Sequence, residues 1–217
     1  MKIYLVRHGE TVFNTMGVLQ GWNNSDLTEK GIEVAKKLGE ELADVKFDKV
    51  FSSDLKRAAD TARLIVNREP ETTELLREID MGDWSGRHIS EVIENDGESY
   101  YNFCVNAHLY NKEGAESYTV FLDRLKKFID TYLIGKDYKN VLITTHGVTC
   151  VGILAIAEGL PLEKLWDNRV PQNAVPSILK LEGGKLSVIE KAPPQTKKED
   201  FEDFIKRSLK WKKKDNL

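Results

Sequence analysis

Arginine and histidine side chains lie at or shortly after the ends of three apolar runs of the chain. Short apolar runs rich in β-branched residues are typical of buried strands, and a charged group at the end of such a strand needs a partner. Three independent runs that end in the same residue types indicate a functional site rather than isolated surface charges. The candidates are Arg7 and His8 after residues 3–6, Arg57 after residues 49–51, and His146 after residues 141–145.

This combination of side chains favours an anion, and phosphate in particular. Arginine forks match phosphate or carboxylate oxygens, and the amides at a helix N-terminus add favourable potential. A divalent metal is the rival ligand, but two arginines in one pocket would repel a cation. The chain has neither a His-Glu-x-x-His spacing nor a Gly-x-x-x-x-Gly-Lys nucleotide loop. We therefore expect no metal site and no cofactor.

A histidine beside arginines can also react with a phosphate group. Neutral imidazole is a nucleophile at physiological pH, and its attack on phosphorus would give a phosphohistidine and divide one displacement into two easier steps. The charge of the transferring group would be held by Arg7, Arg57 and His146. This reaction still needs an acid for the leaving oxygen.

The elements that must position these residues follow an α/β pattern. Apolar runs without alternation at residues 3–6, 49–51 and 141–145 predict strands covered on both faces. Apolar residues at helical spacing between the runs predict crossover helices, the first of them after an N-cap at Thr28. We expect a three-layer αβα sandwich with a mostly parallel central sheet. Ligands bind at the carboxyl ends of the strands in such sheets.

Later segments add a cap, a helix and a hairpin. The irregular stretch at residues 85–116 is predicted to form a helical cap over one end of the sheet. A helix is predicted over residues 117–133, and residues 177–181 and 185–189 flank a Glu-Gly-Gly turn as a hairpin. The tail at residues 196–217 has apolar residues at helical spacing, with eight Lys or Arg against five Asp or Glu.

Composition sets broader limits on the protein. With 217 residues, 41% of them hydrophobic, the chain suits one domain, which we place at residues 1–195 before a basic amphipathic tail at residues 196–217. The net charge of −3 gives no reason to expect a nucleic acid partner. No run approaches the roughly 18 apolar residues that a membrane span needs. The two distant cysteines suit reduced thiols and the N-terminus lacks a signal-peptide pattern, so we expect a cytoplasmic protein.

Longer stretches around the candidate residues form a recognisable series. They are Arg7-His8-Gly9-Glu10-Thr11, Asn14, Gln20-Gly21-Trp22, Leu27-Thr28-x-x-Gly31, Ser52-Ser53-Asp54-Leu55-x-Arg57-Ala58, Gly82-Asp83-Trp84-Ser85-Gly86 and Thr145-His146-Gly147. In this order, over about residues 1 to 190, the series resembles the histidine phosphatase superfamily in its phosphoglycerate mutase-like branch. The combination is far more specific than Arg-His-Gly alone.

The resemblance implies roles for individual residues. It implies a phosphohistidine on His8, with the phosphoryl group bound by Arg7, Arg57 and His146. By position, Glu78 matches the family's proton donor, with Asp80 and Asp83 as close competitors. Substrate-binding positions are implied for Asn14, Gln20, Gly21, Gly147 and Val148.

Two departures from the mutase pattern favour a phosphatase. In the family that the chain resembles, cofactor-dependent mutases carry Gly-Asn-Ser after the second histidine. This chain has Gly147-Val148-Thr149 at that position. Their longer basic insertion is matched here by a shorter, acidic and aromatic segment. We expect a metal-independent phosphomonoester hydrolase of the broad-specificity or α-ribazole phosphate type, acting on a small phosphorylated metabolite. A phosphoglycerate mutase and a non-catalytic phosphate-binding protein are the alternatives. The apolar stripe of the tail could pack on the domain or on a second subunit, so a homodimer is a further alternative.

Overall fold

A six-stranded mixed sheet forms the centre of the structure, a computed structural model in which residues 1–196 are described. Its strands are β1 (Lys2–Arg7), β2 (Lys49–Ser53), β3 (Glu71–Thr73), β4 (Asn140–Thr145), β5 (Pro176–Glu182) and β6 (Lys185–Glu190). They lie in the order β3-β2-β4-β1-β5-β6. The first four strands of the chain run parallel, and β5 and β6 form an antiparallel hairpin at one edge. The predicted mostly parallel sheet and C-terminal hairpin are confirmed.

Helices connect the strands and cover both faces of the sheet. They are α1 (Val12–Met16), α2 (Glu29–Glu41), α3 (Lys56–Val66), α4 (Ile89–Val105), α5 (Tyr118–Tyr132) and α6 (Gly147–Glu158). On one face, Leu38 of α2 and Ile65 of α3 share a buried cluster with Val6 of β1. On the other face, Leu125 of α5 lies in a cluster with Leu5. Because neighbouring side chains of β1 point to opposite faces, both layers are anchored on one strand and the three-layer αβα arrangement is confirmed.

Three elements, α1, α6 and β3, were not identified from the sequence. The α6 helix is buried along almost its whole length and apolar on every side, so it has no helical periodicity to detect. The short strand β3 is a largely exposed edge strand without an apolar run. The stretch predicted as a cap contains α4 and a short helical turn at Ala107–Leu109. The boundaries of the cap stay a prediction.

The loop after β1 crosses the start of α2 at a pair of glycines. A Cβ on Gly31 would lie 2.2 Å from the backbone oxygen of Glu10, and a Cβ on Gly9 would lie 2.7 Å from that of Gly31. The predicted N-cap is present, since Thr28 accepts from the Gly31 N–H at 3.0 Å. The Thr28 N–H in turn donates to the Glu10 oxygen at 2.9 Å. These contacts fix the loop that carries His8.

Other expectations concern the thiols, the membrane and the tail. Cys104 and Cys150 are buried free thiols. Within the part of the chain that the structure describes, no helix is long and apolar enough to cross a membrane. The predicted tail helix falls on residues 197–217, outside the described residues.

Candidate active site

The carboxyl ends of β1, β2 and β4 meet at one edge of the sheet. Arg7 is paired in register with Thr145, and the His8 N–H donates to the Thr145 oxygen at 2.8 Å. Because β2 lies beside β4, the turn that follows β2 brings Arg57, in the first turn of α3, to the same edge. Arg7, His8, Arg57 and His146 are called the phosphate cluster below.

His8 is buried, and its own loop orients its ring. The residue is 3% exposed, and Nδ1 donates to the backbone oxygen of Gly9 at 2.7 Å. Because a carbonyl oxygen only accepts, Nδ1 carries the proton and Nε2 of the neutral ring keeps its lone pair. Burial, followed by the cations of Arg57 and Arg7, lowers the pKa of His8 well below its usual 6.5. The ring is therefore neutral and nucleophilic at physiological pH.

Arg57 is a buried cation whose guanidinium has a hydrogen-bond partner at each of its three nitrogens. It donates to the backbone oxygens of Gly21 and Asn23 at 2.7 Å each, and its Nε donates to Nδ1 of His146 at 3.1 Å. Burial lowers the pKa of Arg57 to about 10, although the Glu78 carboxylate acts in the opposite direction. Arg57 therefore remains positively charged at neutral pH.

His146 lies behind the other members of the cluster. It is completely buried, and its ring centroid is 5.3 Å from that of His8. Since Nδ1 accepts from Arg57, the proton of the neutral ring is on Nε2, which has no hydrogen-bond partner among the described residues. Burial and the Arg57 cation lower the pKa of His146 well below 6.5.

Arg7 is held by backbone from the far end of the chain. Its Nη1 donates to the Pro171 oxygen at 3.0 Å and to Oε1 of Gln195. Its Nε has no hydrogen-bond partner within residues 1–196. Burial lowers the pKa of this guanidinium. The same loop holds the backbone of His8, because the Asn173 side chain donates to the His8 oxygen at 2.7 Å.

Glu78 turns its carboxylate to the N-terminus of α6. Its Oε2 accepts from the Val148 N–H and its Oε1 from the N–H groups of Thr149 and Ile79, all at 3.1 Å. The Thr149 hydroxyl lies 3.1 Å from Oε1 and 2.9 Å from the Arg77 oxygen, and with one proton it donates to one of them at a time. A helix N-terminus favours a carboxylate, so this geometry holds Glu78 firmly in place.

The two competing carboxylates lie elsewhere. Asp80 accepts from the Gly82 N–H at 2.9 Å, and the half-exposed Asp83 pairs with Lys112 at 2.9 Å. Unlike Glu78, neither aspartate lines the cavity beside the phosphate cluster.

The cavity has a volume of about 300 Å³ and combines a charged part with an apolar part. Arg7, His8, Arg57 and Glu78 line it, whereas His146 does not. All the predicted substrate-binding residues line it as well: Asn14, Gln20, Gly21, Gly147 and Val148. The remaining lining side chains are mostly apolar. We call the following six the apolar wall: Phe13, Leu19, Ile89, Tyr100, Phe103 and Trp166.

Several contributors to the site were not identified from the sequence. Gln195 lines the cavity and contacts Arg7, although it lies far from every motif. Trp22 donates its Nε1–H to the Glu78 oxygen at 2.8 Å, a contact that its place in a matched motif did not specify. For Thr149, the sequence offered one indication of a place in the site, because it is a hydroxyl residue three positions after His146.

The fold and the site define an α/β protein with an anion-binding cavity at the carboxyl edge of its sheet. The model of the histidine phosphatase superfamily (branch 1) matches residues 3–192, and the chain belongs to this family. The family expectation drawn from the motifs is confirmed.

Known proteins of several activities resemble the chain. It is 33% identical over 175 residues to the adenosylcobalamin/alpha-ribazole phosphatase of Escherichia coli (79% of this chain, 86% of that protein). Phosphoserine phosphatase 1 of Hydrogenobacter thermophilus is 32% identical (76% and 80%). The structure of Bacillus stearothermophilus YhfR superposes with a TM-score of 0.80 at 31% identity (88% and 96%). The probable phosphoglycerate mutase GpmB of Erwinia tasmaniensis is 30% identical (74% and 76%).

Proposed function

We propose that the chain hydrolyses phosphomonoesters through a phosphohistidine on His8. The observation that carries the proposal is the neutral His8 ring, whose Nε2 keeps its lone pair beside the Arg7 and Arg57 cations. A nucleophile without charge approaches a phosphate dianion with little repulsion, and the arginines stabilise the charge of the phosphoryl group in transfer. His146 contributes a donor through Nε2.

The reaction has two steps that use Glu78 in opposite directions. In the first step, Nε2 of His8 attacks phosphorus, the bond to the leaving oxygen breaks, and a protonated Glu78 gives its proton to that oxygen. In the second step, the Glu78 carboxylate takes a proton from water as the water oxygen attacks phosphorus and releases His8. The N–H groups at the start of α6 donate to Glu78 and so favour the carboxylate form that the second step needs.

The apolar wall favours a particular class of leaving group. The apolar wall supplies six of the apolar or aromatic side chains that line the cavity, and Glu78 is the one carboxylate among the described residues that line it. An ammonium group would therefore compete with the reaction's own acid for a partner, whereas an uncharged aromatic group would bury apolar surface. We infer a small phosphorylated metabolite that also contains an apolar or aromatic group, in line with an α-ribazole phosphate or broad-specificity phosphatase.

A phosphohistidine test separates the enzyme from a binding protein. We compare the wild type with His8→Ala on p-nitrophenyl phosphate. The matched control is His108→Ala, which removes an exposed histidine. We expect the variant to lose activity by roughly 10³-fold or more, and only His8-containing enzyme to carry an acid-labile, base-stable phosphate label. Undiminished turnover in His8→Ala would contradict the nucleophile. A wild type that binds phosphate but turns over no monoester would favour the non-catalytic alternative.

A substrate panel separates the phosphatase from the mutase. We expect kcat/KM to be highest for α-ribazole phosphate and other monoesters that contain an aromatic ring, and lower for O-phosphoserine and 3-phosphoglycerate. Formation of 2-phosphoglycerate, dependent on 2,3-bisphosphoglycerate, would favour the mutase while leaving the catalytic residues unchanged. The domain limits of 1–195, the cap at 85–116, the homodimer and the cytoplasmic location stay predictions beside this function.

A further inference from the structure

We propose that Arg124 is a positioning residue of the reaction, which holds Glu78 in place through the backbone of residues 75–78. The inference rests on the proposed function, because it gives a purpose to the position of the proton donor. Arg124 lies on α5, outside the cavity and far in sequence from every motif of the site.

All five N–H donors of the Arg124 guanidinium are used by one loop and one carboxylate. Nη1 donates to the backbone oxygens of Leu75 at 2.8 Å and Arg77 at 2.9 Å, and Nη2 donates to that of Glu78 at 2.9 Å. The remaining donors reach Glu116 at 2.7 and 2.9 Å. A lysine cannot satisfy acceptors in this planar arrangement, because its three donors radiate from a single nitrogen.

Glu116 extends the same network to the other side of Glu78. Its Oε2 accepts from the Asp80 N–H at 3.1 Å, and its own N–H donates to the Asp80 oxygen at 2.9 Å. The side chains of Arg124 and Glu116 are 14% and 10% exposed, so this ion pair is largely shielded from water. The pair therefore holds the loop on both sides of the proposed acid.

The Glu78 peptide is also held from the cavity side. Its oxygen accepts from Arg124 and from Nε1 of Trp22, which follows the cavity residues Gln20 and Gly21. With the peptide fixed by two donors and the carboxylate fixed at the start of α6, the side chain has little freedom to leave its position. A proton donor must be in reach before its acidity matters, so loss of this anchoring would impair protonation of the leaving group.

Leaving-group dependence distinguishes positioning of an acid from support of the fold. The leaving oxygen of benzyl phosphate needs a proton, whereas p-nitrophenolate leaves well without one, and both substrates present an aromatic ring to the apolar wall. For Arg124→Met we expect kcat/KM, which reports phosphoryl transfer to His8 and not the later hydrolysis that both substrates share, to fall roughly 30- to 100-fold on benzyl phosphate and less than about three-fold on p-nitrophenyl phosphate. Equal losses of kcat/KM on the two substrates would overturn the proposal.

Two further variants guard against a folding defect and a charge effect. Arg124→Lys keeps a cation but not the planar fork of donors. We expect the same selective loss on benzyl phosphate, with a near-ultraviolet spectrum like that of the wild type. Wild-type kinetics of Arg124→Lys on both substrates would also overturn the proposal. Lys126→Met removes a cation from an exposed side of the same helix and is expected to leave both rates unchanged.

Glu78→Gln separates the failure of this inference from failure of the proposed function. We expect it to show the same preference for p-nitrophenyl phosphate as Arg124→Met. If Glu78→Gln discriminates between the substrates and both Arg124 variants do not, only the positioning role of Arg124 is wrong. If Glu78→Gln itself does not discriminate, the assignment of the acid is wrong, and with it the proposal for Arg124.

Discussion

The phosphate cluster and the apolar wall share one cavity but are built in different ways. Each member of the phosphate cluster has named hydrogen-bond partners, several of them backbone oxygens, as Arg57 has in Gly21 and Asn23. The apolar wall is held by ring packing instead, with Phe103 in contact with Tyr100 and Trp166. Directional contacts specify one ligand group, whereas a packed apolar surface specifies only shape and area. We therefore expect one end of the cavity to select phosphate strictly and the other to select the leaving group loosely.

The two regions also differ in what burial does to them. In the phosphate cluster, burial lowers the pKa values of His8, His146 and Arg57, so the cluster stays neutral at its histidines and charged at its arginines. Burial in the apolar wall stabilises the fold directly. Changes to the phosphate cluster should thus affect every substrate equally, and changes to the apolar wall should affect substrates according to their leaving groups.

Among the variants that compare the two regions, the largest effect is expected for Arg57→Lys. The substitution keeps the charge but removes the fork that joins Gly21, Asn23 and His146, so the phosphoryl group loses an aligned donor. We expect kcat/KM to fall by roughly 10² to 10³ for every phosphomonoester, with a parallel weakening of inhibition by inorganic phosphate. Steady-state kinetics on aryl and alkyl substrates measure this.

Arg63→Lys is the matched control, since Arg63 lies on the same helix and pairs at the surface with Asp60 and Glu69. We expect no change in its kinetics. A loss in Arg57→Lys that varied with the leaving group would remove the distinction between the two regions.

A second, smaller effect is expected in the pH dependence of stability. The pKa values of His8 and His146 are lowered in the folded protein, so below pH 6.5 the unfolded chain takes up protons that the folded protein does not. The free energy of unfolding is therefore highest above pH 6.5. It decreases as the pH falls from 6.5 towards the lowered pKa values of the two histidines in the folded protein. Each histidine contributes a slope of up to about 1.4 kcal/mol per pH unit to the free energy of unfolding.

Urea unfolding at pH 7, 6 and 5 measures this slope in the wild type and in His146→Asn, which keeps an acceptor for Arg57. We expect a shallower slope in the variant, by about one proton. Equal slopes would show that His146 does not titrate as a buried neutral ring. The same titration with Phe13→Ala, which alters the apolar wall, should reproduce the wild-type slope.

The smallest effect is expected for Phe13→Ala in the apolar wall. Phe13 is half-buried on α1 and lines the cavity, so its removal takes contact area from the leaving group without opening the core. We expect the KM for aryl phosphates to rise roughly three- to ten-fold, about 1 kcal/mol, with no change in inhibition by inorganic phosphate. Val12→Ala, at an exposed position of the same helix outside the cavity, is the control. A matching change in phosphate inhibition would contradict the separation of the two regions.

The same contrast explains how much could be predicted from the sequence. Arg7, His8 and His146 each follow an apolar run directly, so strand ends and residue chemistry were enough to bring them together. Glu78 follows no strand, and only the family resemblance indicated its role. Short motifs specify such positions because their contacts are local or lie between neighbouring strand ends.

The remaining parts depend on packing that the sequence does not encode locally. Arg124 contacts the backbone of residues 75–78, and any sequence there presents the same carbonyl oxygens. Gln195 reaches Arg7 only because the chain after β6 returns alongside residues 170–172. The apolar wall combines residues of α1, α4 and the turn Leu162–Asp167, and each reads in the sequence as ordinary core.

The central place of β1 has a consequence for how the protein is made. This strand is synthesised long before its neighbours in the sheet, β4 and β5, at Asn140–Thr145 and Pro176–Glu182. The apolar residues 3–6 must wait unpaired until most of the chain has been synthesised, and such long-range pairing is slow and open to aggregation. We therefore expect refolding yield to fall steeply with protein concentration, and a nascent chain without β5 to remain inactive although it already contains His8.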